Sequence, residues 1–201
     1  MLKKSKGKLV VFEGIDGSGV STQIDLLADY LKYKKKKVFV TKEPSNSLIG
    51  GLIRGHLKGE CKTNPQTIQL LFAADRAHHL EKEILPMLKK GYIVLCDRYY
   101  LSSLAYGSLV LDKNWLKEIN SQFIDPDMTF VLYVPPRVSL QRIKESNFGF
   151  ELYEDEKKLT KVVRNYFDIS RDFKNVVLIN ASEEKEKVHD EIVRHLEKNM
   201  K

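Results

Sequence analysis

Leu9-Val-Val-Phe-Glu-Gly14-Ile-Asp-Gly17-Ser-Gly19-Val-Ser-Thr22 is a short apolar run that empties into a glycine-rich turn. Leu9 to Phe12 carries apolar residues without alternation, the pattern of a strand buried on both faces of a parallel sheet. Gly14, Gly17 and Gly19 permit positive φ and let backbone N–H groups approach an anion closely. From Val20 a helical period sets in, with Ile24, Leu27, Ala28 and Leu31 on one face. The N-terminus of that helix turns its unpaired N–H groups and positive dipole end toward the same point. Strand, turn and helix together predict a phosphate cradle built from Gly14, Asp16, Gly17, Ser18, Gly19, Val20, Ser21 and Thr22. The spacing Gly-x4-Gly-Lys-Ser/Thr is met by Gly14, Gly19 and Ser21, but Val20 stands where the lysine belongs. The cradle is kept and a point charge is lost.

Working outward, 201 residues at 42% hydrophobic and 30% charged suit one α/β domain with a sizeable core. No composition shift marks a boundary, and no apolar run nears the roughly 20 residues that span a bilayer. A basic N-terminus without an apolar signal core predicts a cytoplasmic protein. Cys61 and Cys96 show neither a disulfide framework nor metal-ligand spacing. The net charge of +7 comes from dispersed lysines, and the run Lys34 to Lys37 lacks interleaved aromatics. A solvated turn is the better reading of that run, so no specific nucleic-acid partner is expected. A positive balance also suits a site that collects anionic nucleotides.

Strand and helix patterns alternate, which predicts a five-stranded parallel sheet covered on both faces. Strands are expected at 8–13, 37–41, 92–97, 128–134 and 175–180. Helices are expected at 20–34, 47–58, 65–89, 100–109, 112–123, 136–145, 151–171 and 183–199, with Pro86 interrupting the third. Ligands of such folds lie at the carboxyl ends of the strands. There stand Glu43-Pro44 after the second strand and Asp97-Arg98-Tyr99 at the end of the third. Asp97 is a candidate ligand of a magnesium ion, together with the Ser21 hydroxyl, and is also placed for a helix cap. Arg54, Arg76 and Arg98 would make an anion-binding set if the fold brought them into one cleft.

Four colinear stretches carry a more specific likeness. Phe12-Glu-Gly-Ile-Asp-Gly-Ser-Gly, Glu43-Pro44, Leu70-Leu-Phe-Ala-Ala-Asp-Arg76 and Asp97-Arg-Tyr-Tyr-Leu-Ser-Ser-Leu-Ala-Tyr106 together resemble the thymidylate kinases. The resemblance implies a P-loop NTPase fold in three layers with a short lid at about 143–152. It implies transfer of the γ-phosphate of ATP to dTMP with Mg2+, by a homodimer. By position, Phe72 would stack on thymine and Arg76 would meet its carbonyl edge. Asp16 would take the 3′-hydroxyl, Tyr106 would pack on C2′, and Ser102 and Ser103 would line the base pocket. Arg54 and Arg98 would hold the acceptor phosphate, with Glu13 and Glu43 near it and the metal. Asp97, Arg98, Glu43 and Arg142 form the expected catalytic set, with Arg142 also over adenine.

The chain departs from that family at Val20, at Gly107 in place of a glutamine that touches the base, and in the lid. The lid stretch Glu145 to Glu151 holds no arginine. A slow kinase is therefore expected. The alternatives are a nucleotide-binding paralogue with impaired catalysis, or a kinase for another pyrimidine monophosphate if Gly107 widens the base pocket.

Overall fold

A computed structural model describes residues 7–145 and 156–199. The chain folds into one parallel sheet of β1 (Lys8–Gly14), β2 (Val38–Lys42), β3 (Ile93–Asp97), β4 (Met128–Tyr133) and β5 (Val176–Asn180), in the order β2-β3-β1-β4-β5. The three central strands are apolar and buried along almost their whole length. The edge strands β2 and β5 are more exposed, which is why Thr41, Lys42 and Asn180 are tolerated there. Register places Phe12 beside Asp97 and Lys42 beside Asp97, so three carboxyl ends meet at one edge of the sheet.

Helices flank this sheet. The first, α1 (Val20–Tyr33), buries Ile24, Leu27, Ala28 and Leu31, the face its period predicts, and packs on the terminal α9 (Lys185–Asn199). Between β2 and β3 run α2 (Leu48–Leu57), α3 (Pro65–His79) and α4 (Leu85–Lys89). Between β3 and β4 run α5 (Tyr100–Gly107) and α6 (Lys113–Asn120). Between β4 and β5 run α7 (Pro136–Glu145) and α8 (Glu156–Ser170). Side chains of Ser47, Asn64 and Asp112 cap α2, α3 and α6 by accepting from the third residue onward.

The helix expected over 65–89 is interrupted ahead of Pro86 by a π turn at Leu80–Ile84. Pro86 has no N–H to give and its ring crowds the carbonyl of Lys82, so the chain widens one turn earlier. Residues 146–152 of the expected lid lie outside the described residues. No helix among the described residues is long and apolar enough to cross a membrane.

Candidate active site

The phosphate loop closes where β1 hands over to α1. Gly17 takes φ 73° with Ser139 O so near that a Cβ would stand 2.6 Å from it, so only glycine fits. Ser139, fully buried on α7, donates from Oγ to Asp16 O at 2.6 Å and braces the loop from outside. Gly19 caps α1 in the left-handed region and offers no side chain to the first-turn amides, which leaves them for an anion. Val20 begins α1 with its side chain buried in the core, so the loop carries no cation of its own at that position. Ser21 Oγ donates to Asp97 Oδ2 at 3.0 Å, because β1 and β3 end side by side. Burial raises the Asp97 carboxyl, against the opposing pull of Arg98 and Ser21.

Arg98 follows at φ 68°, a conformation rare outside glycine. Its N–H donates to Phe12 O at 2.8 Å. Its guanidinium donates to Gly14 O at 2.9 Å, pairs with Asp16 and lies 5.8 Å from the Tyr106 ring centroid. Backbone and side chain together pull the arginine back over the phosphate loop.

Glu13 holds that turn in place. Its carboxylate accepts from Tyr99 N at 2.9 Å, Ser102 N at 3.2 Å and Tyr166 Oη at 3.1 Å, as well as from Ser102 Oγ. Complete burial pushes Glu13 from about 4.5 up to about 7, although Ser102, the Arg98 charge and the Tyr99 amide pull it down. An acid with a raised native pKa binds more protons folded than unfolded between those values. Its contribution to stability is therefore complete below pH 4.5 and is lost as pH rises through about 7. Urea unfolding at pH 5 and pH 8 should show this fall, and Glu13→Gln should flatten it. An equally steep fall in the variant would assign the pH dependence elsewhere.

A cavity of about 500 Å³ opens beside the loop, and Asp16, Glu43, Phe72, Arg76, Arg98, Ser102, Ser103 and Tyr106 all contribute to its wall. Arg76, only 1% exposed, is held on every side. Its Nε donates to Glu43 Oε2 at 2.9 Å, Nη1 to Asn120 Oδ1 at 2.5 Å and Nη2 to Ser103 Oγ at 3.3 Å. The guanidinium also faces the Tyr99 and Phe123 rings at 5.2 and 5.5 Å. The other oxygen of Glu43 meets His79 Nδ1 at 3.3 Å, and His79 Nε2 meets Thr41 Oγ1 at 2.7 Å. Glu43 thus anchors Arg76, and Glu13 anchors the turn that follows Arg98.

Other expected residues stand nearby without joining that wall. Arg54 gives Nη1 to the carbonyls of Ser45 and Pro44 and is absent from the cavity lining. Arg142 is half-buried on α7, one residue before Ile143, which approaches Gly17. Thr22 is exposed on the first turn of α1, and Ser18 is buried inside the loop. The widening expected at Gly107 is not found: a Cβ there would stand 2.9 Å from Leu116 Cδ1 and 3.2 Å from Gln69 Cδ. Neighbouring side chains already occupy that space.

Several residues of the site escaped the sequence reading. Asp75, 1% exposed, accepts from Ser45 N at 2.7 Å, Ser45 Oγ at 2.6 Å and Ser47 Oγ at 2.8 Å, which ties the Glu43 loop to α3. His79, Asn120, Ser139 and Tyr166 complete the supporting shell. Asp75 lay within a quoted motif, but nothing local in sequence marks the other four.

The family model for thymidylate kinase matches residues 12–192, which spans the phosphate loop and every residue named in the cavity wall. The chain belongs to the thymidylate kinase family. It is 41% identical over 194 residues to "Probable thymidylate kinase" of Pyrococcus horikoshii, covering 94% of this chain and 95% of that protein. It is 42% identical over 188 residues to the protein of the same name from Methanocaldococcus jannaschii, covering 93% and 94%. "Probable thymidylate kinase 1" of Saccharolobus solfataricus is 38% identical over 195 residues, covering 96% and 98%.

Proposed function

We propose that this protein transfers the γ-phosphate of ATP to dTMP, giving dTDP and ADP on the route to dTTP. One observation carries the proposal: Phe72, Arg76 and Tyr106 share a cavity with Arg98, whose guanidinium also touches the phosphate loop. A planar base takes the face of Phe72 and the donors of Arg76, and Tyr106 packs against C2′ of the sugar. Asp16 receives the 3′-hydroxyl, while Arg98, with Arg54 from α2, neutralises the acceptor phosphate. An oxygen of that phosphate attacks the γ-phosphorus in line; the bond to the β–γ bridging oxygen breaks and ADP leaves. Arg142 lies over the adenine side, and the lid excludes water that would otherwise accept the phosphate.

The Ser21 hydroxyl and the Asp97 carboxylate are hard oxygen donors 3.0 Å apart, a pair that suits Mg2+ carried in with ATP. The ion, when bound, offsets charge on the β- and γ-phosphates. Exposed Leu48 and Leu52 on α2 and Leu70 on the adjoining α3 support a homodimer through this face. A cytoplasmic reaction fits this reading, since ATP and dTMP are both available there.

Val20 favours a second reading, a nucleotide binder with little turnover. Val20→Lys separates the two. Restoring one preorganised charge should raise dTMP-dependent ADP release about 10²-fold. Equal rates would mean that other cations already serve the phosphates. Silence from both proteins, with ATP still bound, would favour the binder.

A further inference from the structure

We infer that Tyr166 is a positioning residue for phosphoryl transfer, its hydroxyl fixing Arg98 relative to the phosphate loop, an inference that rests on the dTMP kinase reading above. Tyr166 lies on α8 in a stripe with Leu159, Val162 and Ile169, all buried at helical spacing. By spacing alone it is one more core aromatic. A buried phenol needs partners for its hydroxyl, and those partners set Tyr166 apart from the rest of the stripe. Its Oη donates to Glu13 Oε2 at 3.1 Å, lies 2.9 Å from Ser102 Oγ and stands 3.5 Å from Gly14 O. Tyr166 is 2% exposed and absent from the cavity wall, so it reaches a ligand only through other side chains.

Each of those partners is tied to Arg98. Gly14 O accepts from Arg98 Nη1 at 2.9 Å, and the same nitrogen donates to Ser102 Oγ at 3.3 Å. Glu13 accepts from the amides of Tyr99 and Ser102, which fixes the turn leaving the arginine. The Tyr106 ring meets the Tyr166 ring edge-on at 6.5 Å and the Arg98 guanidinium at 5.8 Å. One hydroxyl therefore joins the end of β1, the first turn of α5 and α8 around a single guanidinium.

Arg98 spans the phosphate loop and the acceptor cavity. A small swing of its guanidinium would leave dTMP bound but misplace the charge that the transition state needs. Phosphoryl transfer rests on such placement, and a displacement of about 1 Å can cost about 10²-fold. The loss should therefore fall on kcat rather than on KM.

Steady-state kinetics of the unaltered protein, Tyr166→Phe, Arg98→Gly and the double variant test this. Tyr166→Phe keeps the ring beside Tyr106 and removes only the hydroxyl. It should lower kcat about tenfold and change KM for dTMP less than about threefold. Beside Arg98→Gly the hydroxyl has nothing left to aim, so Tyr166→Phe should then change kcat less than about twofold. A hydroxyl that merely supports the fold would cost the same in both backgrounds. Ser102→Ala removes the neighbouring link from α5 and should lower kcat in the same way, which keeps the inference testable where Tyr166→Phe folds poorly. Undiminished kcat in either single variant, a loss confined to KM, or an equal loss with and without Arg98 would overturn the role of Tyr166 and leave the kinase reading standing. If the unaltered protein forms no dTDP, the kinase reading falls, and this inference with it.

Discussion

Arg98→Gly is expected to lower kcat/KM for dTMP about 10³-fold while the fold persists. The guanidinium reaches Gly14 O at 2.9 Å and pairs with Asp16, so it stands between the phosphate loop and the cavity. On the proposed reaction, a charge at that position would act on the phosphoryl group as negative charge spreads in the transition state. No second cation occupies Val20 to share the load, which makes the loss here larger than in a loop with its lysine. Glycine is the informative replacement because Arg98 sits at φ 68°. An L-side chain in that region costs about 1–2 kcal/mol, and glycine removes the cost. The backbone bond from residue 98 to Phe12 O, 2.8 Å, survives the change. Unfolding midpoints should therefore move little while turnover collapses. Steady-state kinetics beside urea unfolding distinguish this from a folding defect; a parallel loss of both would contradict the assignment.

Arg76→Met should destabilise the protein by about 3–5 kcal/mol. Glu43 is 5% exposed and its Oε2 lies 2.8 Å from Arg76 Nη2. Removing the guanidinium strands a buried carboxylate, and the Asn120 and Ser103 oxygens lose a donor as well. Glu43→Gln in the same chain should return a large part of the stability, since a neutral amide tolerates the apolar neighbour better. The double-mutant cycle is read from denaturant midpoints at constant m. Additive losses would mean that the pair is not coupled, contrary to the geometry.

How much of this is readable from residues alone differs from element to element. β1, β3 and β4 are continuous apolar runs because helices cover both faces, and such runs announce themselves. The phosphate loop and Asp97-Arg98 were equally visible, since each follows directly on a buried strand. Glu13 shows the limit. The resemblance implied a place near the acceptor phosphate and the metal; its partners are Tyr99, Ser102 and Tyr166, which no spacing rule connects to it. Glu43 likewise turned out to face Arg76 and His79 across the sheet edge. Side chains that act through another side chain depend on tertiary register, and one sequence carries no periodic trace of that. Gly107 misled for a related reason: a missing side chain reads as space, but Leu116 and Gln69 fill it. The π turn before Pro86 was foreshadowed by the proline, although its position one turn earlier was not.

Whether this protein is a dTMP kinase is decided by incubating the unaltered protein with Mg·ATP, with and without dTMP, and separating the nucleotides to measure ADP and dTDP. ADP and dTDP are expected in equal amounts, strictly dependent on dTMP, and at a rate that Val20→Lys increases. ADP release independent of dTMP, or no dTDP at high protein concentration from either form, would contradict it.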